Sequence, residues 1–162
     1  MCSIKKIEEG TMKKILVFAM VGLFLFVGMA YAQKKATKES CQALVSKAVE
    51  HYNKVGKEQA LKDFSAPSKM FVDGEDYLSI YDMKAAVVGH GTNASLIGKN
   101  LYDMKDSHGK FFMREFVEKA NKPGATGWVE YHWTNPVSKK IEPKAAYFVR
   151  MDDIIIQAGY YK

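Results

Sequence analysis

The residues best suited to chemistry lie in the last fifth of the chain, where one lysine stands among aromatic side chains. Lys144 follows Pro143 and is followed by Ala145, Ala146 and Tyr147. An ammonium group inside a cavity binds carboxylates, and the neighbouring rings supply an apolar wall with hydroxyl donors. We therefore predict that this stretch binds a small organic anion and performs no reaction on it.

Further donors and ring faces occur on predicted strands and at the start of a long loop. A carboxylate site needs a cation or several hydrogen-bond donors beside an apolar wall. The predicted ligand-binding residues are Lys144, Tyr147, Trp128, Tyr131, Trp133, Tyr77, Tyr81, His90 and Asn93. Strand alternation places Tyr131 and Trp133 on one face and Trp128 on the other, and the sequence leaves open which face lines a cavity. The rings also suit core positions, and Lys144 also suits an exposed turn, as Lys139 does.

No catalytic or metal-binding motif accompanies these residues. The histidines, at positions 51, 90, 108 and 132, show no HExxH or paired spacing, and Asp103, Asp106 and His108 are typical of turns. GxSxG, phosphate-loop and Cys–His nucleophile patterns are absent, and the missing CxxCH motif excludes covalent c-type haem. We predict that the protein is not an enzyme and has no cofactor or metal ligands.

The N-terminal segment resembles an export signal. Lys13 and Lys14 precede an uncharged apolar run from Ile15 to Met29, and Ala30-Tyr31-Ala32 supplies a signal peptidase site. We predict a leader and signal peptide over residues 1–32, with translation starting at Met12, and one domain over residues 33–162 in the periplasm or outside the cell. The alternative is an uncleaved membrane anchor, since the 18 residues from Ile15 to Ala32 lie at the short end of a bilayer span.

Charge and cysteine content restrict the partners and the cross-links. The formal net charge is +6, but the charges are interspersed and no Arg-rich block occurs, so we expect no nucleic-acid partner. Of the two cysteines, Cys2 precedes the predicted signal and Cys41 follows it. The exported domain therefore has no internal disulfide.

Periodicity predicts an α+β domain. Apolar residues at helical spacing indicate a long helix from Ala36 to Val55, with a short continuation to Phe64. A crossover loop from His90 to Lys110 leads into a second helix that ends at Ala120. The strands are predicted at residues 77–81, 86–89, 126–133, 144–151 and 154–161. This order predicts a five-stranded antiparallel sheet with helices on one side.

The chain resembles the single Cache domain family, type 2, the extracytoplasmic PAS-like sensor domains of bacteria. The matching segments, in the order of the family, are FVDGEDY (71–77), HGTN (90–93), LIGKNL (96–101), KDSHGKF (105–111), GWVEY (127–131), NP (135–136) and PKAAY (143–147). The resemblance implies a PAS-like sheet with a long N-terminal helix, and a ligand cavity between the sheet and the crossover loop. In receptors of this type the ligands are often small carboxylates.

The resemblance also implies a role in sensing and signal transduction related to chemotaxis. Such domains usually lie between two membrane helices ahead of an output module, and here the chain stops at Lys162. We therefore expect a free periplasmic binding protein that presents its ligand to a membrane receptor or kinase, with a homodimer through the N-terminal helix left open. The alternative is a membrane-tethered sensory subunit. The first hairpin also departs from the family, because Lys84-Ala85-Ala86 replaces the usual glycine region.

Overall fold

The structure is a computed structural model that describes residues 34–162. The leader and signal predicted at residues 1–32 lie outside the described residues. Within residues 34–162, no helix is both long and apolar enough to cross a membrane. The elements are α1 (Lys38–Val55), α2 (Lys57–Phe64), β1 (Val72–Asp73), β2 (Asp76–Asp82), β3 (Val87–His90), a 3-10 turn (Ala94–Leu96), α3 (Phe112–Lys119), β4 (Thr126–Thr134), β5 (Ile141–Met151) and β6 (Ile154–Tyr161).

The long N-terminal helix is confirmed as α1, and its short continuation as α2. Helix α1 begins at a capping box, in which the side chains of Thr37 and Ser40 each accept a hydrogen bond from the other residue's backbone N–H. Its buried residues recur at three- and four-residue steps, which is the period of one helix face: Cys41, Val45, Ala48 and Tyr52. Gly56, at φ 80°, separates α1 from α2.

The strands form one antiparallel sheet in the order β1-β2-β6-β5-β4, and β3 also pairs with β2. The five predicted strands are confirmed, and the structure adds the two-residue β1. β5 begins at Ile141, earlier than predicted, so Pro143 lies inside the strand opposite His132. Pro143 has no N–H to donate, but its carbonyl accepts a hydrogen bond of 2.9 Å from the Lys162 N–H.

The sheet separates two buried clusters. We call the side covered by α1 and α2 the helix face, and its buried sheet residues are Leu78, Ile80, Ile154, Ile156 and Ala158. We call the opposite side, covered by α3 and the 90–111 segment, the loop face, and its buried sheet residues include Tyr81, Val129, Tyr131, Ala146, Phe148 and Ile155. Successive side chains of a strand point to opposite sides, so the same strands supply both clusters.

Candidate functional site

The polar side chains of the sheet interior lie on the loop face. Lys144 on β5 is paired with Tyr131 on β4 and with Tyr161 on β6. Directly opposed residues share a face, and Tyr131 belongs to the loop-face cluster. Lys144 is 1 % exposed and Gln157 on β6 is 0 % exposed. Buried lysine and glutamine need a specific reason, which makes this face the candidate site.

The Lys144 side chain extends across β6 because Gly159, which has no side chain, leaves space for it. The lysine side chain passes over Gly159, where a Cβ atom would lie only 2.5 Å from Lys144 Cε. The ammonium group then donates a hydrogen bond of 2.8 Å to Tyr77 Oη on β2. Nζ also lies 4.2 Å from the centre of the Tyr77 ring and 5.2 Å from that of Tyr161. The glycine therefore positions the cation, which any larger residue would displace.

A directed chain of hydrogen bonds continues from the ammonium group. Tyr161 Oη donates to the Thr134 carbonyl at 3.0 Å, which uses its only proton. Tyr77 must then donate to Tyr161 across their 3.1 Å separation. With both tyrosine protons committed, Tyr77 Oη is left as the acceptor for Lys144. The chain fixes the lysine in position without supplying any negative charge.

No carboxylate pairs with Lys144 among the described residues; the ion pairs there involve other basic side chains. Burial lowers the pKa of Lys144 to about 7, since the apolar surroundings disfavour the charged form. Of its three N–H donors, the described contacts use one. The site thus contains a buried amine that an anion would both satisfy and charge.

His90, at the end of β3, is a neutral donor beside Tyr77. Its Nδ1 accepts hydrogen bonds from the backbone N–H groups of Thr92, at 3.3 Å, and Asn93, at 3.1 Å. The ring proton therefore lies on Nε2. Burial, with the nearby Lys144 charge, lowers the pKa of His90 to about 3. Its ring centre lies 5.2 Å from that of Tyr77.

A cavity of about 360 Å³ opens beside these groups. Its lining residues come from β2, the segment after β3 and the β4–β5 turn: Tyr77, His90, Thr92, Asn93, Leu96, Trp133, Thr134, Pro136 and Lys139. Tyr77 therefore both lines the cavity and contacts Lys144 through its hydroxyl group. Asn93 is exposed at this mouth, and its Oδ1 accepts from the Ser95 N–H at 3.1 Å.

Gln157 is the most unusual polar residue of the loop face. Neither Nε2 nor Oε1 makes a hydrogen bond of good geometry with a described residue, although the amide lies close enough to the hydroxyls of Tyr81 and Tyr131 to act on their pKa values. On the strand, Gln157 is paired with Ser79 on one side and Phe148 on the other. A buried amide without partners costs about 1–3 kcal/mol, so such a group in a native protein marks a place for a ligand or a water.

Other aromatic side chains of the loop face pack against α3. Tyr131 is stacked on Phe112 of α3 with ring centres 4.6 Å apart, and Trp133 meets the same ring at 5.6 Å. Burial raises the pKa of Tyr81 to about 12 and that of Tyr131 well above its usual range. Both hydroxyls therefore stay protonated near neutral pH.

Two predicted residues lie on the helix face, away from Lys144. Trp128 and Tyr147 pack against the helix-face cluster, with ring centres 5.3 Å apart. Lys38 of α1 lies 5.8 Å from the Trp128 ring centre. The structure therefore brings together Lys144, Tyr77, Tyr81, Tyr131, Trp133 and His90, with Asn93 at the mouth, and separates Trp128 and Tyr147 from them.

Sequence reasoning missed three residues of this site: Gln157, Gly159 and Tyr161. A signal was present, since Gln157 and Gly159 interrupt the apolar strand sequence IIIQAGYY at residues 154–161. A glycine inside a strand indicates the close approach of another group. Here that group is the stem of Lys144.

A family model described as Single Cache domain 2 matches residues 12–161. Solved structures share the fold. A methyl-accepting chemotaxis protein from Vibrio parahaemolyticus RIMD 2210633 has a TM-score of 0.66 and 23 % identity, over 76 % of this chain and 87 % of that chain. A periplasmic sensor domain of a chemotaxis protein has a TM-score of 0.58 and 23 % identity, over 96 % and 99 %. A Cache chemosensory domain studied for carboxylic acid recognition has a TM-score of 0.58 and 18 % identity, over 96 % and 99 %.

Proposed function

The chain belongs to the single Cache domain 2 family, and on that premise we propose that it is an extracytoplasmic sensor domain that reversibly binds a small organic carboxylate. The proposal includes no chemical step. Cys41, the free cysteine of the described residues, is buried, and burial raises the pKa of its thiol to about 12. A thiol in that state does not act as a nucleophile.

One observation carries the proposal: the ammonium group of Lys144 is buried without an anion. Isolating a charge from water is costly, and the protein supplies only a hydroxyl group to compensate. A carboxylate ligand would provide the missing charge and accept the unused N–H donors. Tyr77 and His90, whose ring centres are 5.2 Å apart, both line the cavity. Lys144 is not among the lining residues, and its ammonium group borders the cavity through its hydrogen bond to Tyr77 Oη.

The cavity suits a compact ligand. Its volume of about 360 Å³ is near the lower end of the range for small-molecule sites. Leu96, Pro136 and the ring of Trp133 line it and provide apolar contacts for a short carbon chain. Gln157 is not among the lining residues. We assign its amide, which offers both a donor and an acceptor, to a second polar group of a ligand that enters more deeply, such as a hydroxyl.

The structure related to carboxylic acid recognition supports this ligand class by analogy only, since 18 % identity relates the folds and not the ligands. We further propose that residues 33–162 form the mature periplasmic domain and that its partner is a membrane receptor or kinase. The apolar run from Ile15 to Ala32 also supports a second candidate, a membrane-tethered sensory subunit. Mass spectrometry of the exported protein distinguishes the two, because an N-terminus at Gln33 removes the tether.

Isothermal titration calorimetry tests the ligand proposal with a panel of short-chain mono- and dicarboxylates, their 2-hydroxy derivatives and amino acids. We expect saturable binding of at least one carboxylate by the wild-type protein. Lys144→Met keeps the approximate volume of the side chain and removes the charge, so it should abolish that binding while the protein stays folded. Lys54→Met, at an exposed position of α1, is the matched control and should bind as the wild type does.

Two results would contradict the proposal. One is the absence of binding across the panel by correctly folded wild-type protein. The other is unchanged affinity in Lys144→Met, because a carboxylate bound elsewhere would not need that cation. Circular dichroism of each variant confirms that a loss of binding does not come from a loss of fold.

A further inference from the structure

A second cluster of chemical groups lies outside the cavity, where the turn before α3 meets β4. Asp106 and His108 belong to the turn, and His132 lies on β4, more than twenty residues later in the sequence. Each offers a ligand atom, and these atoms all lie within 4.8 Å of one another. Sequence spacing gives no sign of this cluster, because the fold alone brings His132 to the turn.

The carboxylate of Asp106 is fixed and ionised. Oδ1 accepts hydrogen bonds of 2.9 Å from the backbone N–H groups of His108 and Lys110, and Oδ2 accepts one of 2.9 Å from the His132 N–H. Burial acts to raise its pKa, but these hydrogen bonds, with that of the His132 side chain, lower the pKa of Asp106 to about 2. Oδ2 accepts one backbone hydrogen bond, and its other near partner is the His132 side chain at 3.5 Å, so a lone pair remains for a cation.

The spacing of two donors already matches a zinc site. Asp106 Oδ2 and His132 Nδ1 are 3.5 Å apart, longer than a good hydrogen bond. Tetrahedral zinc with bonds of about 2.0–2.2 Å separates neighbouring ligand atoms by about 3.3–3.6 Å. The two atoms thus stand where a single ion would contact both.

His108 provides the third donor. Its ring is stacked on that of His132, with centres 3.7 Å apart and an interplanar angle of 27°. Stacked rings hold their nitrogen lone pairs in separate, nearly parallel planes, so His108 must rotate about χ2 to bind the same ion. His108 is exposed, which leaves room for this rotation. Nδ1 of His108 lies 3.1 Å from Ser107 Oγ.

The surroundings accept a cation. Three lysines line the cavity of about 330 Å³ beside the cluster: Lys110, Lys144 and Lys162. The ammonium group of Lys110 pairs with Glu115 at 2.6 Å, and that of Lys162 pairs with Glu130 at 2.7 Å. The charges of Lys110 and Lys162 are therefore compensated, and burial lowers the pKa of Lys144 to about 7. The cavity has space for a water as a fourth ligand.

We propose that Asp106, His108 and His132 bind one divalent transition-metal ion, with zinc as the best match to an N₂O donor set. The ion would join the turn to β4 between Tyr131 and Trp133, whose rings pack on α3. It would thereby hold the edge of the loop face. Lys144 lines the same cavity but provides no ligand atom to this site.

Titration of the tag-free protein with Zn²⁺, followed by calorimetry, tests the proposal. We expect saturable binding of one ion per chain. His132→Gln and His108→Gln should each weaken the affinity by about tenfold or more, because each removes one donor. His51→Gln is the matched control, since His51 lies in a different place, bonded to Asp63 at 2.7 Å, and its loss should leave zinc affinity unchanged.

A second measurement guards against misfolding. Zinc bound to the native protein raises the melting temperature, and this shift should disappear in the double variant of His108 and His132 while its circular dichroism stays native. The proposal is overturned if the wild-type protein shows no saturable zinc binding. It is equally overturned if the double variant binds as tightly as the wild type, or if the His51 variant loses binding in their place.

Discussion

The two faces of the sheet are made by the same strands but differ in their buried side chains. On β6, Ile154, Ile156 and Ala158 face the helices, and every one is fully buried and apolar. The intervening positions on the loop face include Gln157, Gly159 and Tyr161. The helix face resembles an ordinary core, whereas the loop face contains a cation without an anion and an amide without partners.

This difference indicates how the domain combines stability with binding. The helix face needs no ligand, because its apolar side chains are stabilised by burial against α1 and α2. The loop face is left incomplete, and under the proposed function a ligand supplies what is missing. Neighbouring residues of one strand can therefore be used to separate the two roles.

The largest effect is expected on the helix face. Ile156→Ala removes buried methyl and methylene groups and leaves a cavity, so the free energy of unfolding should fall by about 2–5 kcal/mol. Urea denaturation measures this loss. Carboxylate affinity of the folded fraction, measured well below the melting temperature, should stay unchanged. A variant with intact stability and weakened binding would contradict the division between the faces.

The next largest effect on stability is expected at Gly159 of β6, over which the Lys144 side chain passes. In Gly159→Ala the new Cβ would lie 2.5 Å from Lys144 Cε and 2.9 Å from the Ala145 carbonyl oxygen. We expect a loss of about 1–3 kcal/mol from this overpacking. Carboxylate affinity should fall too, since Nζ is pushed away from Tyr77.

A double-mutant cycle with Lys144→Ala gives the control. Shortening the lysine removes Cε and leaves the backbone contact, so the cost of Gly159→Ala should become smaller but not vanish. Additive costs would show that the glycine does not act through the lysine. The cycle is measured by urea denaturation of the four proteins.

Much of the fold can be predicted from local sequence patterns. The packing on each face of the sheet cannot. The spacing of Cys41, Val45, Ala48 and Tyr52 predicts α1, and the short turns predict the β4–β5–β6 meander; both are confirmed. These features depend on neighbours in sequence. The pattern predicts helices on one side of the sheet, whereas α1 and α2 pack on one side and α3 on the other. That arrangement depends on contacts that no local period encodes.

The site shows the same limit. Lys144 and Tyr147 are three residues apart, so a regular strand places them on opposite faces, and Tyr147 lies with Trp128 beside α1. The alternation of side chains along the strand can be predicted from the sequence, but the face that contains the unsatisfied polar groups cannot. The burial of Lys144 depends on Gly159, a residue of the neighbouring strand that lies opposite Ala146. Such cross-strand dependence becomes visible only once the register is known.

The third prediction uses the pKa of Lys144. Burial lowers it to about 7 from the ordinary value of 10.5. Between these values the unfolded chain holds a proton that the unliganded folded chain lacks, so stability should rise with pH in this window. A carboxylate ligand requires the ammonium form, so affinity should fall above about pH 7, approaching tenfold per pH unit.

Calorimetry on both sides of pH 7 checks this dependence, and buffers of different ionisation enthalpy report the proton taken up on binding. His90 does not interfere, because burial lowers its pKa to about 3. In Lys144→Arg the side chain stays protonated, so whatever affinity remains should be independent of pH in this window. A flat profile in the wild type, or an equal slope in the arginine variant, would argue against Lys144 as the group that titrates.

The smallest effect on stability is expected at Gln157, which is adjacent to Ile156 on β6 but belongs to the other face. Gln157→Leu replaces a buried amide without partners by an apolar side chain of similar size. Unlike Ile156→Ala, it should leave stability unchanged or raise it by about 1 kcal/mol, since an uncompensated desolvation cost is removed. Binding of propanoate should persist, whereas any preference for 2-hydroxypropanoate should be lost along with the amide. A clear loss of stability would mean that Gln157 already has partners in the unliganded protein, and that the loop face is complete without a ligand there.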